Sequence, residues 1–114
     1  MLTKEAILSA NDLKRETVNV PEWGGDVLIQ EMSGAQRDAY EAHITDTGED
    51  MRKRTVRARY VAFSIIGEDG EPMFSVDDVE ALAKKNAKAL DRVFAAAAEL
   101  NIFTEDAVKE AEGN

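Results

Sequence analysis

A chain of 114 residues, 44% hydrophobic and 32% charged, has the length and composition of one soluble globular domain, and its formal net charge is −9. Folding at this size removes about two-thirds of the unfolded chain's surface from water, which is enough for a core. The acidity argues against sequence-independent binding to nucleic acid, which needs a basic surface, and the absence of cysteine leaves neither a disulfide framework nor thiolate chemistry.

The first residues, MLTKEAILSANDL, carry charges inside their apolar stretch and have no h-region of a signal peptide. Thr3 can cap a short helix through Leu8, with Glu5 near its positive end. Leu2, Ala6 and Ile7 would then form an apolar patch that packs back on the body, and Asn11-Asp12 reads as a turn. Lys14 to Val20 is a strand in which Val18 and Val20 alternate with Thr17 and Asn19. Pro21 ends it, having no N–H for a ladder, and Gly24-Gly25 is a natural reversal because glycine accepts positive φ. Asp26 to Met32, rich in Val, Leu and Ile, returns as the second strand. Trp23 lies at the tip, where it can fold back as a lid or stand out as an anchor for a partner.

Ser33, with Gln36 three residues on, forms a capping box for a helix that runs to about Ile44. Gln36, Tyr40, His43 and Ile44 share one side of it. His43 is the only histidine, and Asp46, Glu49 and Asp50 follow closely, but neither zinc spacing nor the ligand order of a calcium loop is present. In Met51 to Ile66, VRARYVAFSII alternates partly like a strand, while Val56, Tyr60 and Phe63 also share a helical face. Length, Ala58, Ala62 and the arginines favour a helix, with Ser64 to Ile66 turning extended. Five of the fourteen basic residues, Arg52, Lys53, Arg54, Arg57 and Arg59, fall within eight positions here. They make either a positive face for an interaction or pairs with acidic residues of neighbouring helices.

Gly67 to Gly70 is a turn with glycines suited to positive φ, and Pro72-Met73-Phe74 is a short extended piece that inserts Phe74 into the core. Ser75 caps the next helix, whose first turns hold Asp77, Asp78 and Glu80 and whose apolar side is Val79, Leu82 and Ala83. Asn86 breaks it. Ala87 to Leu100 is the most helix-prone stretch, with Leu90, Val93, Phe94 and Ala97 as its stripe and Asn101 as a left-handed cap. The run of four alanines from Ala95 to Ala98 permits close backbone approach. Thr104 then caps a last helix from Glu105 to about Glu112. Val93 to Ala98, the most apolar run, is far too short to span a bilayer.

No nucleophile–base pair, phosphate-binding glycine loop or zinc spacing occurs, so the residues offer no support for an enzyme, a metal or a cofactor. The expected architecture is α+β: one domain over residues 1–114, with a small antiparallel hairpin at about 14–32, a short third strand, and four or five helices over about 34–112. A small acidic regulatory or nucleic-acid-mimicking protein is the alternative class.

The hairpin around VPEWGG, the following strand, the SGAQRDAYE helix start and the block VRARYVAFSIIGEDGEPMFSVDDVEALAKKNAKALDRVFAAAAEL resemble, in order and spacing, the tail assembly chaperones of long-tailed bacteriophages. The resemblance runs from Leu2 to about Val108 and is to the short form of the family. It implies a non-catalytic protein of the bacterial host cytoplasm, encoded by a phage or prophage and absent from the finished particle. It also implies that the protein keeps the tape measure protein soluble and engages tail tube subunits. A holding protein needs exposed apolar anchors, and Trp23 and Met73 are the candidates; a self-associating surface would serve as well.

Overall fold

The computed structural model of the chain describes residues 1–101, so the helix expected after Thr104 lies outside the described residues. Three antiparallel strands, β1 (Arg15–Val20), β2 (Gly25–Gln30) and β3 (Ile65–Ile66), form a sheet in the order β1-β2-β3. α1 (Lys4–Ser9) precedes them, α2 (Gly34–Asp46), α3 (Glu49–Arg54) and α4 (Val56–Ser64) connect β2 to β3, and α5 (Val79–Ala83) and α6 (Ala87–Asn101) follow. The class is α+β, with the short third strand present and six helices among the described residues instead of four or five.

Alternation in the hairpin puts Val18 opposite Val27 and buries Val20 and Ile29 completely. The other face is polar: Arg15 Nε donates to Gln30 at 2.8 Å, and Asn19 donates to Asp26 at 2.8 Å. At the tip, Pro21–Trp23 form a 3-10 turn closed by Gly24 at φ 75°, a conformation that a side chain would strain. Val20 and Ile29 then meet Ala58, Val61 and Ala62 of α4 and Ala89, Leu90, Val93 and Ala97 of α6. α5 closes this core with Val79 and Leu82. Phe94 is half-buried at its edge, its ring 5.3 Å from that of Tyr60.

Several local expectations change. The single helix from Met51 is two helices broken at Thr55, whose hydroxyl donates to the Met51 carbonyl at 2.6 Å while the residue leaves helical geometry at φ −125°. A threonine hydroxyl competes in this way with the backbone ladder. The buried face of α4 is Ala58, Val61 and Ala62, and Val56 is exposed. Thr3 does cap α1, accepting from the Ala6 N–H at 3.1 Å, but the apolar patch of Leu2, Ala6 and Ile7 does not pack on the body. All three are exposed, because no turn forms at Asn11-Asp12 and Ala10 leaves the helix extended.

Asn86 starts a helix as well as separating two: its side chain accepts from the Ala89 N–H at 3.0 Å. Asn101 is not left-handed, since no described residue except glycine has positive φ. It bridges instead, donating to the Ala97 carbonyl at 2.8 Å and accepting from the Met32 N–H at 2.7 Å. Only Gly70 of the 67–70 turn has positive φ, at 84°. Ile29→Ala is expected to cost about 2–5 kcal/mol in urea unfolding, and Phe94→Ala less than the usual ~3–5 kcal/mol for a fully buried phenylalanine, because that ring is only partly buried at the edge of the core.

Candidate partner-binding surface

α2 is fixed at its start by the capping box read from the sequence: Gln36 N–H donates to Ser33 Oγ at 3.1 Å, and Ser33 N–H to Gln36 Oε1 at 2.9 Å. Gln36, Tyr40, His43 and Ile44 are its half-buried side. Tyr40 meets Tyr60 and Phe63 of α4 edge-to-face, with ring centroids 5.5 Å apart in each case. Beside this contact, Ala35 and Ala39 are too small to fill the space between α2 and the segment 72–76. A groove of about 320 Å³ results, lined by Ala35, Gln36, Ala39, Ala62, Phe63, Pro72, Phe74, Ser75 and Val76.

The far wall of the groove is held firmly. Gly67 N–H donates to the Glu71 carbonyl at 2.8 Å, Met73 N–H to the Ile65 carbonyl at 3.2 Å, and Ile66 bridges Pro72. Ser75 and Asp78 form a second capping box. Phe74 packs against the core as expected, and Val76, 46% exposed, lines the groove. Met73, 53% exposed, is on the same segment but outside the lining. Trp23 is elsewhere: half-buried, it folds onto the core beside α6, where Glu22 accepts from Arg92 Nε at 2.9 Å. The Arg92 guanidinium holds the Glu22 carboxyl below the usual carboxylate range. The two candidate anchors are therefore not on one surface. The groove itself was marked in the sequence only by small residues at 35, 39 and 42, on the side of α2 away from Tyr40.

The profile of the family described as phage tail assembly chaperone matches residues 2–112, nearly the whole chain. The chain belongs to the phage tail assembly chaperone family. A solved structure of the bacteriophage HK97 tail assembly chaperone is similar to this chaperone at a TM-score of 0.61 and 22% identity. The likeness covers 89% of this chain and 95% of that one, and at such identity it speaks for the fold. No curated protein matches the chain. The family is a chaperone family, a non-catalytic class. Among the described residues, no helix is long and apolar enough to cross a membrane.

The basic cluster of the chaperone is divided between surface and interior. Lys53 pairs with Glu49 at 3.0 Å, Arg54 with Asp50 at 2.9 Å, and Arg57 with Asp91 of α6 at 2.6 Å. Two of these pairs lie within α3 itself, where neighbours one turn apart meet, and one reaches another helix. Arg59 departs from both readings, since it is 1% exposed and pairs with no carboxylate among the described residues. Its Nε donates to His43 Nδ1 at 3.1 Å and its Nη2 to Thr55 Oγ1 at 2.8 Å. Burial pushes this guanidinium below its ordinary value. Among the described residues no three His, Asp or Glu side chains gather where they could hold a metal.

Two outcomes follow for the chaperone. Met73→Ala should change stability by less than about 0.5 kcal/mol, and Trp23→Ala by about 1–3 kcal/mol, since only the tryptophan packs on the core; equal losses in denaturant unfolding would contradict this placement. Arg59→Met should be neutral or stabilising, because replacing a buried ion by an apolar side chain of similar size often gains about 1–4 kcal/mol. A thermal scan showing a lowered Tm would mean that the bonds to His43 and Thr55 outweigh the desolvation.

Proposed function

We propose that this chaperone holds apolar segments of the tape measure protein in the groove between α2 and residues 72–76, and helps to recruit tail tube subunits, in the bacterial host cytoplasm and without entering the virion. The observation that carries the reading is the apolar groove, with Val76 exposed in its lining and Met73 exposed on the same segment beside it, in a chain of this family. A long helical tape has apolar stripes that associate with one another until the tube encloses them. Covering such stripes takes apolar surface on an otherwise soluble protein, and a net charge of −9 supplies the solubility. Met73 is the first anchor in this proposal, since its flexible thioether adapts to varied partners. Trp23, with its exposed part at the hairpin tip, is the second.

The test is co-expression of the cognate tape measure protein with and without this chain. Raised solubility and a complex recovered by co-purification are expected, and unchanged solubility with no complex overturns the reading. Met73→Asp with Val76→Asp should reduce the recovered complex at least about tenfold while leaving the domain folded, since a charge placed in an apolar contact must be desolvated. Trp23→Ala separates the two anchors: loss of complex without unfolding would place the hairpin tip in the contact.

A further inference from the structure

Away from the apolar groove, the ends of four helices meet around a second cleft of about 330 Å³. Its floor includes Val56, Ala83, Ala87 and Leu90, and Val56 is 45% exposed there. Lys53, Arg54, Arg57 and Lys85 stand around it; Asp91 in the lining pairs with Arg57, and Glu49 and Asp50 outside the lining pair with Lys53 and Arg54. Lys84 and Lys88 flank the cleft in sequence and add to the field. This concentration is unusual in a chain with 23 acidic and 14 basic residues.

The cations are available. Lys53–Glu49, Arg54–Asp50 and Arg57–Asp91 are all solvent-exposed pairs, which salt and water weaken and a better-placed carboxylate can replace. Lys85 makes no ion pair among the described residues. Part of the charge complements the carbonyl ends of α3 and α5. That role does not call for Val56 in water or for Arg57, which belongs to the first turn of α4. Nucleic acid fits less well. No aromatic side chain lines the cleft to stack a base, and a polyanion extending beyond it meets an acidic protein.

We infer that this cleft is a docking site for an acidic amphipathic helical segment of a partner protein, with its apolar side chains against Val56 and Ala87 and its carboxylates on the four surrounding cations. The inference deepens the holding function and rests on it for the partner being a tail protein. It assigns a contact separate from the apolar groove.

The experiment titrates the isotope-labelled full chain with designed helical peptides of about 20 residues, long enough to be helical in water. Each peptide has leucines at helical spacing, flanked by Glu, by Gln or by Lys. The Glu peptide should shift the amides of residues 53–57 and 83–91, bind about tenfold more tightly than the Gln peptide, and weaken as salt rises. Lys53→Glu with Lys85→Glu, both at exposed positions, should remove that preference while the remaining spectrum keeps its folded dispersion. The proposal is overturned if the Gln or Lys peptide binds as tightly, if the shifts fall elsewhere, or if a DNA oligonucleotide of equal charge displaces the Glu peptide. It is also overturned if the same amides shift with protein concentration alone, which would give the cleft to a second copy. None of these outcomes depends on tape measure solubility, so this proposal and the holding function fail separately.

Discussion

The close approach of α4 and α6 over the hairpin is the contact on which the other packing depends. Alanines make it: Ala58 and Ala62 on one helix, Ala89 and Ala97 on the other, each at most 2% exposed. With no side chain beyond Cβ, two helix backbones can approach while Val61 and Val93 fill the remaining space at full burial. The hairpin places Val20 and Ile29 against this pair, and α5 closes it with Val79 and Leu82. A larger side chain at any of the four alanines would separate the helices, and every neighbouring element would lose a wall.

The surface follows from that arrangement. α2 has no fully buried residue and is attached to α4 through the aromatic edges at Tyr40 and, one turn on, through the hydrogen bond from Arg59 to His43. Its alanine side is left facing the 72–76 segment without enough bulk to touch it. That segment cannot move inward to close the gap, because backbone bonds at Gly67, Met73 and Ile66 tie it to β3 and its turn. The groove is open because both of its walls are fixed by contacts elsewhere.

The sequence made the locally determined parts legible. Strand alternation, the turn at Gly24, the Ser33–Gln36 box and the α6 stripe each depend on residues within a few positions, and all are present. Failures came where the outcome rests on distant partners or on one side chain's choice. Thr55 reads as an ordinary helix residue until its hydroxyl is seen bonding back to Met51. Arg59 reads as surface charge, and only the fold shows that His43 and Thr55 make its burial tolerable. Leu2 and Ile7 read as buried because apolar spacing carries no information on whether a docking face exists. Met73 was visible as an exposed apolar residue, but the groove beside it combines positions 35 to 39, 62 to 63 and 72 to 76, and no sequence window contains them together.

Charge and apolar surface are distributed in a way that resolves a conflict in any holding protein. The exposed apolar side chains that would grip a partner also invite copies of the holder to associate, and here Leu2, Leu8, Met73 and Val76 are all exposed. A net charge of −9 opposes that association whenever two copies come close. The field reaches only about 8 Å in physiological salt, so each part of the surface acts largely on what lies next to it. A basic cleft can therefore attract carboxylates within an acidic chain, and an apolar groove can take an apolar stripe without the net charge repelling it. α2, the C-terminal end of α4 and the 72–76 segment wall the groove, while the N-terminal end of α4 with ends of α3, α5 and α6 walls the cleft. In the two proposals, a partner segment with an apolar stripe and one with carboxylates would therefore occupy separate surfaces.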